Sequence, residues 1–353
     1  MSRFMNERFA PLKAYVPGEQ PRDKSYIKLN TNESPYPPAP RVVETLNRKE
    51  IEDLRLYSDP ECRNLREAIA ERYGVALNNV LVGNGSDEIL SFAFMAYGDK
   101  EKGVSYPDIS YGFYSVFADV HGIPKKEITL RTDLSVCAED YFKKGTMIVI
   151  ANPNAPTGTC LPAEDIESIA KLNPDNVVVI DEAYIDFGGK SCVGLTTKYE
   201  NLLVIQTCSK SRSLAGARLG YAIGSKELIA DLDKLRNSTN PYNVNRLTLL
   251  AGIAAMEEKE YYDNNIRRII RTRDEFCDKL GALGFIHTPS QANFVFAAHP
   301  RLGGKEICQG LRDRGILVRH FDKPRISDYV RISIGTPEQM DLLILSLKEM
   351  LAI

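Results

Sequence analysis

Four short apolar runs, each ending in polar residues, constrain this chain more than any other feature. Residues 146–151, 177–180 and 202–207 are dense in branched and apolar side chains. Runs this short, bounded by turn residues, read as strands buried on both faces. The first ends in Asn152, Pro153 and Asn154, the second in Asp181, Glu182 and Tyr184, the third in Ser209 and Lys210. A fourth run, residues 80–82, passes through Gly83 and Gly85 into Ser86 and Asp87. Strand, polar tip and helix, repeated with the polar groups at the carboxyl ends, is the layout of a largely parallel α/β sheet with a ligand along its carboxyl edge.

The tips carry chemistry. Burial at the mouth of a strand lowers an amine's pKa from its free value of about 10.4, so Lys210 is suited to act as a base or to form an imine with a carbonyl. The hydroxyls of Thr207 and Ser209 and the guanidinium of Arg218 suit a phosphate; a solvated surface turn is the competing reading of that stretch. The glycine turn before Ser86 and Asp87, read as helix caps, makes an anion site from free N–H groups and the helix dipole. It lacks the Gly-Lys-Ser/Thr of a nucleotide-binding loop, and a plain strand-to-helix turn is the alternative. Asp181 closes a run of branched residues, where a carboxylate is costly to bury unless it meets a cation; a protonated heterocyclic nitrogen would be one. Arg331 lies in an apolar run and needs an anionic partner or an exposed face. Tyr111 suits either ring stacking or core packing.

The 353 residues suit one large domain and one smaller one. Residues 1–28 read as an extended arm, because Pro17, Gly18 and Pro21 exclude a helix there. Residues 29–245 form the large α/β domain and residues 246–353 a small α+β domain. Within the latter, residues 246–283 read as strongly helical, and Thr336, Pro337 and Gln339 cap the last helix. A net charge of −2 gives no footprint for nucleic acid or a membrane surface, and no apolar run reaches spanning length. The N-terminus lacks a signal peptide's apolar core. The seven cysteines form no CxxC pair and the four histidines have no metal-ligand spacing. They predict reduced cytoplasmic thiols and no metal site.

A lysine for an imine, an aspartate for a ring nitrogen, a phosphate cluster, a stacking tyrosine and an asparagine–tyrosine pair for a ring hydroxyl are what pyridoxal 5'-phosphate asks for. With these residues in order, the chain resembles the fold-type I pyridoxal-phosphate enzymes, and within them the histidinol-phosphate aminotransferase family. The matching stretches are residues 15–21, 30–40, 85–88, 152–158, 181–184 and 209–220. The resemblance implies a homodimer that transfers an amino group between glutamate and imidazole-acetol phosphate. It implies that Lys210 holds the cofactor and moves the proton, and that Asp181 keeps the ring nitrogen protonated. Asn154 and Tyr184 would bond the ring hydroxyl, and Tyr111 would stack on the ring. The backbone at Gly85, Ser86 and Asp87, with Thr207, Ser209 and Arg218, would hold the phosphate, joined by Tyr57 from the neighbouring subunit. For substrate it implies Arg331 at a carboxylate, and Arg319 with Tyr15 of a partner's arm at a phosphate. Asn32, Glu33 and Asn293 would line the same pocket. Departures from the commoner pattern are Ser211 and Arg212 after the lysine, His320 after Arg319, and Ser58 after Tyr57. They bear on substrate range, where a threonine-phosphate decarboxylase or an aromatic aminotransferase is the alternative. A non-enzymatic sensor would need a DNA-binding module and a basic patch.

Overall fold

Branched side chains stiffen the backbone and fit a pleated, buried surface, so the apolar runs become strands. The computed structural model describes residues 4–353; Met1, Ser2 and Arg3 of the arm lie outside the described residues. The first strand is β1 (Ile27–Lys28). Then come β2 (Val80–Gly83), β3 (Val104–Pro107), β4 (Lys125–Ile128), β5 (Met147–Ala151), β6 (Val178–Asp181), β7 (Leu202–Thr207) and β8 (Gly220–Ile223). Among the described residues these seven form one sheet in the order β2-β8-β7-β6-β5-β3-β4. Only β8 runs against its neighbours in it. Ala151 pairs with Asp181 and Asp181 with Ile205, so the carboxyl tips of β5, β6 and β7 stand level.

Alternation sorts the sheet's two faces. Ile148, Ile150, Val178, Ile180, Leu202 and Val204 point into one core, under the helices Arg63–Tyr73, Ala163–Leu172 and Arg246–Glu257. Val149, Val179, Leu203 and Ile205 point into the other, under Ser86–Tyr97, Phe113–His121 and Lys226–Thr239. Strands buried on both sides need this continuous apolar sequence.

The remaining strands are β9 (Ile286–His287), β10 (Phe294–Ala298), β11 (Ile316–Leu317), β12 (Arg319–His320) and β13 (Tyr329–Ser333). An antiparallel sheet of order β12-β13-β10-β9 carries a separate core with the helices Lys259–Ala282, Gly304–Asp313 and Pro337–Leu351. The arm enters this part: β1 pairs with β11 in parallel, and Ser333 N–H donates to the Leu29 carbonyl at 2.9 Å.

Two local readings change. The helical stretch after residue 246 breaks at Glu258; its first half serves the large core, and its second half starts there with Tyr262 and passes to the small core from Ile266 on. Leu249 and Ala254 join the large core and Ile269, Phe276 and Leu280 the small one, so the cores part later than residue 245. Nothing in local propensity marks that point, since the stretch holds no proline. The cap of the helix Ser86–Tyr97 is Gly85, at φ +80°, with Ser86 and Asp87 inside the first turn and no side-chain cap. Asp87 is engaged elsewhere, as described below. The last helix does begin with a capping box between Thr336 and Gln339.

Candidate active site

The tips of β5, β6 and β7 face the turn after β2 across one cleft edge. Lys210 lies three residues past β7, with its amine donating to the Thr31 carbonyl at 3.2 Å. Burial, followed by the charge of Arg331, pushes its pKa down to about 8. Asp181, at the end of β6, is buried; its carboxylate accepts from the Tyr114 hydroxyl at 2.8 Å and the Ala183 amide at 3.2 Å. Both partners are neutral, and burial raises this carboxyl to about 6. The Tyr184 hydroxyl accepts from Asn32 Nδ2 at 2.9 Å, while its ring stands edge-on to Phe294. Its own proton is thereby free to point toward the cleft. Lys210 Nζ lies 5.8 Å from the centroid of that ring.

The anion cup sits beside these groups. Arg218 adopts a left-handed backbone, φ +55°, and its guanidinium meets Asp87 at 3.0 Å. The other Asp87 oxygen accepts from the Tyr111 hydroxyl at 2.9 Å. A Cβ on Gly85 would lie 2.7 Å from Arg218 Nη2, so only glycine lets that guanidinium close over the turn. Thr207 donates to Ser209 at 3.0 Å, and both hydroxyls are buried.

Two arginines lie directly opposite each other on β12 and β13: Arg319 pairs in register with Arg331. Like charges across a strand pair repel, so their apposition suits an anion between them. Arg331 donates to the Asn30 carbonyl at 3.0 Å, and its buried Nε meets no partner. Burial lowers its pKa. Arg319 is held by the arm, donating to the carbonyls of Val16 at 3.0 Å and Pro17 at 3.2 Å.

The other expected residues have these partners within the single chain. The Tyr15 ring stacks on Phe113, centroids 4.2 Å apart, near Tyr111. Asn154 is fully engaged, donating to the Ile109 carbonyl and Thr157 Oγ1 at 2.9 Å and accepting from Ser110 at 2.7 Å. Glu33 pairs with Lys28 at 3.0 Å. Asn293 donates to the Asn32 carbonyl at 3.1 Å. Tyr57, expected to act in a neighbouring subunit, is 81% exposed and stacks on Tyr242.

Two contributors escape a linear reading. Tyr114, in the first turn of the helix Phe113–His121, is the donor on Asp181, and the only local sign is a phenol three positions after Tyr111. Ser333 donates to Asn32 Oδ1 at 2.9 Å and accepts the Asn32 amide at 2.8 Å, which turns the Asn32 NH2 toward Tyr184. Asn32 is held there at φ +56°, an uncommon backbone for a non-glycine residue.

No helix among the described residues is long and apolar enough to cross a membrane, and no cluster of His, Cys, Asp or Glu among them could hold a metal ion. The model of the family described as aminotransferase class I and II matches residues 24–347. A histidinol-phosphate aminotransferase of Marinomonas sp. (strain MWYL1) is 50% identical over 351 residues, covering 99% of each chain. One from Brachyspira hyodysenteriae is 46% identical, covering 99% of each. Among solved structures, the histidinol-phosphate aminotransferase of Sinorhizobium meliloti in complex with pyridoxal-5'-phosphate aligns over 99% of each chain, with a TM-score of 0.89 and 26% identity.

Proposed function

The chain belongs to the class I and II aminotransferase family, and from that premise we propose that it interconverts L-histidinol phosphate plus 2-oxoglutarate with imidazole-acetol phosphate plus L-glutamate, a step of histidine biosynthesis. The cofactor is pyridoxal 5'-phosphate. Three observations fit it. Asp181 is a buried carboxylate with only neutral partners, a place for a protonated ring nitrogen. Gly85 leaves space that a Cβ would fill, beneath a guanidinium that suits a phosphate. Lys210 carries an amine lowered to about 8, close to working pH.

When bound, the cofactor supplies a carbonyl for an amine and a sink for the electrons of the substrate's α-carbon. The chain's own residues do the rest. Lys210 holds a proton between the substrate carbon and the cofactor side, and its lowered pKa lets the amine both accept and release it. Asp181, dry and fixed by Tyr114, holds a proton on its partner nitrogen; its charged form is disfavoured until a cation arrives. Tyr184, with its hydroxyl accepting from Asn32, presents its proton to an oxygen in the cleft. Arg331 binds a carboxylate and Arg319, opposite it, a phosphate. This arginine pair, met by backbone carbonyls but by no carboxylate among the described residues, is the observation that carries the substrate reading: it asks for two anionic groups, as glutamate and a phosphorylated amine bring in turn.

The assembly proposed is a cytoplasmic homodimer. An apolar strip supports it: Val43, Ile51, Leu54, Leu56 and Tyr57 all stay exposed. Such a strip suits a second copy, with Tyr57 reaching the other subunit's cup. Two domains and an arm, with the helix Arg246–Glu257 on the large side, remain the proposed organisation.

A half-reaction tests the reading. Purified protein is mixed with L-histidinol phosphate and the cofactor's visible absorbance is followed. Its conversion to the amine form, absent in Lys210→Ala, is expected. Carbon dioxide from threonine phosphate, with no conversion, would favour a decarboxylase instead.

A further inference from the structure

Arg212 is an odd residue for its place. Its side chain is 2% exposed, inside the large domain, two residues past Lys210. Nη1 lies 3.3 Å from Asp186 Oδ2 and donates to Ser211 Oγ at 3.1 Å. Ser211 in turn donates to that same Asp186 oxygen. The guanidinium also lies over the Tyr262 ring, 5.4 Å from its centroid. Burial is the largest single influence and works against the charge, but Asp186 first, together with Tyr221, Tyr73 and Cys208, holds the pKa above its ordinary value. Nε and Nη2 find no acceptor.

As a stabilising device this arrangement is poor. A buried ion pair is often no better than apolar residues of the same volume, and two orphaned N–H groups make it worse. What a planar guanidinium does supply is fixed geometry. The place of Asp186 shows what is being fixed. It lies on the short turn Ile185–Phe187, two residues after Tyr184. One carboxylate therefore gathers Ser211 and Arg212 from the loop of Lys210 and ties them to the segment of Tyr184.

We propose that Arg212 is a positioning residue: with Asp186 it clamps the Lys210 loop to the Tyr184 turn and so sets the approach of the Lys210 amine to the Tyr184 hydroxyl. The inference rests on the transaminase reading and adds a residue to it. The charges acting on the amine itself, those of Arg331, Glu33, Asp87 and Arg218, lie outside the clamp. Changing the clamp alters geometry and leaves those charges in place.

The test uses holoenzyme reconstituted with pyridoxal phosphate. Arg212→Met keeps the bulk and loses the fork, Arg212→Lys keeps the charge, and Asp186→Asn breaks the clamp from its more open end. For each, the visible band of the lysine-linked cofactor is titrated against pH, and kcat, KM for L-histidinol phosphate and Tm are measured. The titration midpoint should move by about half a unit or more in Arg212→Met and Asp186→Asn. Their kcat should fall about tenfold with KM changed far less, as for a misplaced group. Arg212→Lys should recover part of the loss, and the double variant should go no further than either single. Unmoved midpoints and unchanged kcat alongside a lower Tm would overturn the proposal and leave Arg212 a packing residue. If Arg212→Met fails to fold, Asp186→Asn decides alone, since its side chain is 28% exposed. A parent enzyme with no such band would instead defeat the transaminase reading itself.

Discussion

Gly220→Ala is the sharpest perturbation of the anion cup. Gly220 starts β8, opposite Gly83. A Cβ there would lie 2.4 Å from Ser86 N, 2.6 Å from Gly85 C and 2.9 Å from Ser86 Cα. All three atoms are backbone, so no side chain can swing aside. The turn must retreat by about half an ångström or more, an overpacking cost of about 1–3 kcal/mol. The retreat also moves the Ser86 N–H, the donor proposed for the cofactor phosphate. A misplacement of 1 Å costs about 10²-fold in a working site, so about tenfold weaker cofactor binding, or about 1.4 kcal/mol, is expected. The assay is an absorbance titration of cofactor-free protein with pyridoxal phosphate, beside a Tm of the cofactor-free form. Gly224→Ala is the control at the far side of the same strand, where the Cβ would lie 3.1 Å from Leu203 Cδ1, a rotatable methyl. It should cost under about 1 kcal/mol and leave affinity alone. A Gly220→Ala protein that binds cofactor as tightly as the control and melts with it would refute the reasoning.

Three further outcomes follow from the same geometry. Asp181 has a folded pKa raised from 3.8 to about 6, so its stabilising protonation is complete below the unfolded value and is lost as pH rises through about 6. Cofactor-free Asp181→Asn should therefore gain on the parent by up to about 3 kcal/mol between pH 4 and 7, read from paired denaturant curves; a constant difference would contradict the buried, unpaired carboxylate. Lys210 has its pKa lowered from 10.5 to about 8, so the rate of cofactor loading should climb through pH 8 and level off well before 10; a climb centred near 10.5 would mean a solvated amine. If the proposed dimer shares its sites, mixing Lys210→Ala with Tyr57→Ala protein should restore activity that neither has alone, because a hybrid dimer would carry one complete site. No recovery after subunit exchange would argue against a shared site.

Much of this was legible in the chain. The strands β5, β6 and β7 are visible because doubly buried strands must be apolar throughout, and Asp181 and Lys210 stand out because charged groups are rarely buried at the end of such runs. Thr336 and Gln339 announce a helix start by local chemistry alone. What escaped is pairing across distance. Tyr114 meets Asp181 and Ser333 meets Asn32 only because of the tertiary fold, and no periodicity encodes either contact. Asp87 reads as a cap locally, but Arg218 and Tyr111 claim its oxygens first. The break at Glu258 follows from two cores competing for one helical stretch, which propensity does not register.

The docking of β1 on β11, with Leu29 bonded to Ser333, has a consequence for synthesis. The ribosome makes residues 27–32 long before their partners in residues 316–333. The large sheet can close on its own strands while the chain is still growing. Asn32 cannot be turned toward Tyr184 until Ser333 has left the exit tunnel, nor can Thr31 settle over Lys210 before β11 exists. A truncated or stalled product is thus a folded sheet with an unfinished lysine site, and contacts of this sequence separation place completion of the site among the slow steps of folding.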